Sequence, residues 1–204
     1  MGKCYYLTHP NVEIDPAVPV PDWDLSDVGR QRMQEGLRQS WLIDVDHVIS
    51  SREKKAIETG QIIAGHLGVD MEIVEGLHEN DRSSTGFVPP EKFEEIANEF
   101  FARPAVSVQG WERALDAQTR IVSEIKKVFE AIPQDDVVLF SGHGGVGTLL
   151  KCHLANLAIS RDHDVPAGGG YWFCFDRKDL DACAASIDAL QWHAFEPQVA
   201  EVAS

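Results

Sequence analysis

Two histidines in this sequence end apolar runs and are followed at once by turn-forming residues. His9 closes Lys3-Cys4-Tyr5-Tyr6-Leu7-Thr8 and precedes Pro10. His143 follows the run at 137–141 (VVLFS) and sits within Gly142-His143-Gly144-Gly145. A continuous apolar run of that kind reads as a strand buried on both faces. Val146, Leu149, Leu150, Leu154 and Leu157 then mark a helix, so Gly144 lies at a helix N-terminus. Unpaired N–H groups and the positive dipole end attract an anion there, and glycine lets a ligand approach the backbone closely. Ser50-Ser51-Arg52 forms a third polar junction after the run at 45–50. Parallel strands place their C-terminal ends at one sheet edge, so the three junctions are expected to converge. Two strand-end histidines beside an anion-attracting helix end point to phosphoryl chemistry.

The elements that must position these residues alternate between strand and helix. Strands are expected at 3–8, 45–50, 71–74, 137–141 and 170–175. After a Pro-rich loop at 10–24, Leu25-Ser26-Asp27 opens a helix that buries Met33, Leu37 and Trp41. Ser50 and Glu53 fit a capping box for the next helix, striped by Ala56, Gly60, Ile63, Ala64 and Leu67 and ended by Gly68. Pro89-Pro90 precedes a helix with Phe93, Ile96, Ala97, Phe100 and Phe101. The longest helix is expected over about 110–132, where Trp111, Leu115, Ile121, Ile125 and Val128 keep a 3.6-residue period before Pro133. This alternation predicts a three-layer α/β/α fold with a mostly parallel sheet. Residues 1–204 read as a single domain, with 76–110 as a lid or inserted lobe and a frayed tail from Pro197.

Composition sets the outer limits. The chain has 204 residues, 44% of them hydrophobic and 25% charged, which is ordinary for a globular domain. Its 18 Lys and Arg face 33 Asp and Glu, a formal net charge of −15. Nucleic-acid partners and anionic membrane surfaces need a basic face, so neither is expected. No apolar run approaches the roughly 20 residues of a membrane span, and no secretory signal is read at the N-terminus. Cys4, Cys152, Cys174 and Cys183 form no C-x-x-C pair, which suits free thiols in a cytoplasmic protein. Arg161-Asp162-His163-Asp164 lacks metal-motif spacing and reads as a surface loop. Neighbouring Cys152 and His153 diverge by about 100° on a helix and are not a ligand pair. No metal or cofactor is expected.

The chain resembles the histidine phosphatase superfamily, the phosphoglycerate mutase-like proteins, in six motifs taken in order. Tyr6-Leu7-Thr8-His9-Pro10 stands for Leu-x-Arg-His-Gly, and Leu25-Ser26-Asp27-Val28-Gly29 for Leu-Thr-x-x-Gly. The run 50–59 (SSREKKAIET) resembles Ser-Ser-x-x-x-Arg-Ala-x-x-Thr. Leu77-His78-Glu79 falls at the catalytic Glu, and Gly110-Trp111-Glu112 with Arg120 at the Gly-Glu-Ser helix start and its Arg. Ser141–Val146 resembles the second His motif. The resemblance implies a phosphatase-like hydrolase acting on a small phosphomonoester. His9 would become the phosphohistidine, His143 would bind the phosphoryl oxygens, and Glu79 would act as general acid and then base.

The departures from the family pattern lie in the phosphate pocket. Thr8 replaces the Arg before the nucleophile, Pro10 the following Gly, and Lys55 the second Arg. Two bidentate forks become a hydroxyl and a point charge. Arg52 and Arg82 are the candidates to compensate. The alternative reading is a catalytically degenerate member that binds a phosphorylated or other anionic ligand, or a protein partner, without turnover. The oligomeric state is not legible in the sequence.

Overall fold

The computed structural model describes residues 2–197, so the tail expected to fray from Pro197 lies outside them beyond Pro197 itself. Strands β1 (Lys3–Thr8), β2 (His47–Ser50), β3 (Met71–Ile73), β4 (Val138–Gly142), β5 (Tyr171–Asp176) and β6 (His193–Ala194) form one sheet ordered β3-β2-β4-β1-β5-β6. β3, β2, β4 and β1 run parallel, whereas β5 is antiparallel to β1 and β6 antiparallel to β5. The helices are α1 (Asp27–Gly36), α2 (Lys54–Leu67), α3 (Pro90–Ala102), α4 (Ala114–Ala131), α5 (Gly144–Leu154) and α6 (Asp179–Ala182).

Alternation along the central strands explains the layers. Cys4 and Tyr6 face one core while Tyr5 and Leu7 face the other. Val138 and Phe140 likewise oppose Leu139. The first core takes Ile121 and Ile125 of α4, Leu149 and Leu150 of α5, and Phe100 and Phe101 of α3. The second takes Met33 of α1 with Ile63 and Ala64 of α2. A strand with side chains on both faces therefore needs helices on both faces, which is why β1 and β4 are nearly continuous apolar runs.

Register brings the functional junctions together. Thr8 pairs with Gly142 and Ser50 with Ser141, so the chain leaves β1, β2 and β4 at one edge of the sheet. The α3 segment of the expected lobe packs by Ile96, Ala97, Phe100 and Phe101 onto the α4–α5 core.

Local boundaries differ from the sequence expectation in several places. α1 ends at Gly36, so Trp41, expected on its buried stripe, lies instead in a separate 3-10 turn at Ser40–Asp44. The capping box at Ser50 and Glu53 does not form: the Ser50 hydroxyl donates to the Ser51 carbonyl, and α2 begins only at Lys54. It is the Ser51 hydroxyl that accepts from the Glu53 amide. α4 starts at Ala114 rather than near 110, because Gln109 (φ 52°) and Gly110 (φ 81°) turn the chain while buried Trp111 anchors it. Leu115, assigned to the apolar stripe, is exposed. The short elements α6 and β6 carry too little periodicity to be legible.

Candidate active site

His9 and His143 meet at the sheet edge with ring centroids 5.3 Å apart and an interplanar angle of 67°. The position of each ring follows from its strand. His9 donates its amide hydrogen to the Gly142 carbonyl at 3.0 Å, extending the β1–β4 ladder by one residue. Its side-chain Nδ1 lies 2.9 Å from the Pro10 carbonyl. A carbonyl can only accept, so Nδ1 carries the proton and Nε2 keeps its lone pair. Gly169 (φ 60°) lies so close behind that a Cβ there would come within 2.1 Å of the His9 carbonyl oxygen. Burial first, and then the Lys55 ammonium, push the His9 imidazole from 6.5 down to about 4.

His143 is completely buried. The Tyr6 hydroxyl donates to its carbonyl and accepts from its amide, both at 3.1 Å, which pins the residue from β1. Nε2 shares a 2.7 Å hydrogen bond with the Ser51 hydroxyl and lies 3.8 Å from Glu53 Oε1. Nδ1 has no partner among the described residues. Burial holds His143 well below the ordinary histidine range, against the opposing pull of Glu53.

Glu79 reaches the N-terminus of α5. Its Oε2 accepts from the Gly145 amide at 3.0 Å, and Oε1 from Val146 at 2.9 Å and from Asn80 at 3.1 Å. The helix end that the sequence offered to an anion thus already holds a carboxylate of the chain itself. A Cβ at Gly145 would come within 2.8 Å of Oε1, so glycine is needed for this approach. Arg120 fixes the loop from below, donating to the carbonyls of Gly76, His78 and Glu79 while pairing with Glu112.

The basic candidates separate. Lys55 is 2% exposed; its ammonium donates to the Val20 carbonyl at 2.9 Å and to Glu53 Oε2. Burial raises the Glu53 carboxyl, yet His143 and Lys55 hold it well below the carboxylate range. Burial likewise lowers Lys55 despite Glu53. Thr8 is buried and its hydroxyl is bound twice to β5, accepting from the Tyr171 amide at 3.1 Å and donating to its carbonyl at 3.2 Å. Arg52 is exposed, pairs with Glu75 at 2.9 Å, and lines a neighbouring cavity rather than the one at His9. Arg82 lies over the Phe93 ring at 5.0 Å and the Trp111 ring at 5.9 Å and lines the cavity at His9.

A cavity of about 650 Å³ joins these groups, lined by His9, Glu79, Asn80, Arg82, Gly144 and Gly145 and walled by aromatic residues around α3. The structure therefore brings Thr8, His9, Glu79, Gly144 and Arg82 to one cavity, with His143 buried against the His9 ring, closes Lys55 off with Glu53, and leaves Arg52 outside. Sequence reasoning missed Glu53 and Asn80. Asn80 is 6% exposed, and its Nδ2 has no partner among the described residues. Among the described residues no group of three or more His, Cys, Asp or Glu could hold a metal ion, and no helix is long and apolar enough to cross a membrane.

The class follows from sequence comparison as well as from geometry. The family model of the histidine phosphatase superfamily, branch 1, matches residues 8–178, and the chain belongs to that superfamily. A search of curated protein sequences returns no match. Solved structures with the same fold include a mycobacterial glucosyl-3-phosphoglycerate phosphatase bound to inorganic phosphate, at 15% identity and TM-score 0.74, covering 97% of this chain and 100% of that one. YhfR of Bacillus stearothermophilus aligns at 17% identity and TM-score 0.73 over 95% of both chains. A phosphoserine phosphatase of Entamoeba histolytica in complex with 3-phosphoglyceric acid aligns at 17% identity and TM-score 0.68, covering 87% and 92%.

Proposed function

We propose that this protein is a phosphoric monoester hydrolase that works through a phosphohistidine on His9. The observation that carries the reading is the Nδ1–H bond to the Pro10 carbonyl, which leaves the Nε2 lone pair available on a ring that is neutral near pH 7. In the first step Nε2 attacks phosphorus and the bond to the leaving oxygen breaks, with Glu79 donating a proton to that oxygen. Oε2 of Glu79 accepts only one amide bond, so it has capacity left for that proton. In the second step water attacks phosphorus, the N–P bond breaks, and Glu79 takes the water's proton. His143 stabilises the phosphoryl oxygens through Nδ1, which bears a proton when Ser51 donates to Nε2. Arg82 is the cation that faces the transferred group, and residues 76–110 form a lobe over the site. No metal takes part, and the four free cysteines suit a cytoplasmic location.

A second reading has its own support. Glu53 neutralises Lys55, Glu79 fills the α5 terminus, and the Thr8 hydroxyl is bound to β5. A pocket with so few free donors for a dianion fits a member that binds an anionic ligand or a partner without turnover. Hydrolysis of a generic aryl phosphate by wild type and His9→Ala, with and without chelator, decides between them. Turnover that survives chelator and disappears in His9→Ala supports the enzyme, and absence of turnover supports the binder.

A further inference from the structure

A second, apolar space adjoins the cavity at His9. Beside that cavity, across Arg82 and Phe93, lies a groove of about 240 Å³ lined by Ile14, Val20, Trp23, Phe87, Val88 and Phe93. Ile14, Arg82, Phe93 and Glu94 border both spaces. Ile14 is 56% exposed at this junction, and Trp23 and Phe87 set their rings 5.8 Å apart along the wall. Complete small-molecule pockets run from about 300 Å³ upward, so the groove has the size for part of a ligand whose remainder lies in the larger cavity.

Resting on the phosphohydrolase reading, we propose that the group released from the phosphoryl end is apolar, an aryl or branched hydrocarbon moiety, and that it sits in this groove between Ile14, Phe87 and Phe93. The polar side chains at the groove support this choice by what they already do. Glu94 is tied to Arg161 at 2.9 Å. Arg82 presents its guanidinium face to Phe93 and so stands where the apolar and the anionic parts of one molecule would meet. A sugar, an amino acid or a glycerate in the groove would lose its water-bonded hydroxyl or charged groups to walls of Val, Trp, Phe and Ile, which is unfavourable without replacement bonds. A hydrocarbon loses nothing of that kind and gains from leaving water.

Phosphonates test this without turnover, because they keep the anionic head and cannot be hydrolysed. The affinities of methylphosphonate and 2-naphthylmethylphosphonate are measured by calorimetry for wild type, Ile14→Ser and Phe87→Ala. Burial of a ring should favour the naphthyl compound in wild type by roughly 10–100-fold. In both variants that ratio should fall below about 5-fold. Ile14→Ser changes an exposed side chain, so its fold is secure even if Phe87→Ala loosens the lobe. Equal binding of the two phosphonates by wild type overturns the groove while leaving the phosphohydrolase reading intact. A naphthyl preference that both variants retain overturns its location. Failure of both phosphonates to bind, together with absence of turnover, overturns the phosphohydrolase reading and the groove with it.

Discussion

Glu53 lies two residues before Lys55 and binds its ammonium where the two side chains are 6% and 2% exposed. The contact forms because Glu53 is outside the helix, with extended backbone angles (φ −77°, ψ 137°) at the N-cap of α2. Two residues apart within a helix, the side chains would point away from each other. The pair leaves a phosphate with one fewer cation at the foot of the site.

Removing one member strands the other charge in the core. Glu53→Gln and Lys55→Met should each destabilise the fold by about 3–5 kcal/mol. The double variant should be less destabilised than the sum of the singles. Urea unfolding of all four proteins gives the coupling. Purely additive effects would show that the pair is not closed in solution.

Thr8 offers a second test of the charge deficit. Thr8→Arg breaks two hydrogen bonds to Tyr171, each net worth about 0.5–1.5 kcal/mol, and should lower the melting temperature. It should also strengthen phosphate or vanadate binding, since a guanidinium forms charge-assisted bonds of about 1.5–3 kcal/mol. Adding Pro10→Gly gives the new side chain a more adaptable turn. If both variants fold and neither binds the oxyanion more tightly, cation supply is not what limits the site.

Much of this site was legible because strand ends are written locally. The apolar runs at 3–8 and 137–141 locate β1 and β4, and a histidine follows the first run directly and the second after one glycine. The resemblance added Glu79, which no periodicity marks. What could not be read were side-chain partnerships across the fold. Lys55 and Arg52 look equally free in the sequence, yet one is sealed by Glu53 and the other pairs with Glu75. Thr8 lines the cavity, but that its hydroxyl is also bound to β5 could not be read, because no local pattern specifies the register of that antiparallel strand. Asn80 sits in a turn-rich stretch where burial has no period.

pH acts on the two histidines with a definite sign. Unfolded His9 takes up a proton near 6.5, and folded His9 only near 4. Between those values the unfolded chain binds more protons, so stability falls as pH drops through that window. His143 shifts in the same direction. Glu53 adds stability that is present above its ordinary 4.5 and is lost only as pH falls below it. Unfolding free energy should therefore decline already between pH 7 and 5, and His9→Gln should show a shallower decline. A flat profile in wild type, or an identical slope in the variant, would contradict these shifts.

Gly145→Ala probes Glu79 without changing it. The new Cβ would press on Oε1 from 2.8 Å and move the flexible end of the carboxylate. General acid catalysis contributes about 10²–10⁴-fold, so a displaced Glu79 should lower kcat at least about tenfold. An alanine inside the first turn favours the helix by about 0.5–1 kcal/mol, which offsets the lost cap and keeps the protein folded. Unchanged kcat in the folded variant would remove Glu79 from the proton-transfer role.

A covalent phosphoryl group on His9 can be trapped directly. Wild type and His9→Ala are mixed briefly with a radiolabelled aryl phosphate and quenched in alkali or in acid. A phosphohistidine is a phosphoramidate, stable to alkali and labile to acid. Wild type should retain protein-bound label after the alkaline quench and lose it in acid, and His9→Ala should carry none. Label of equal strength in His9→Ala, or turnover by wild type with no alkali-stable label at any mixing time, would contradict the account.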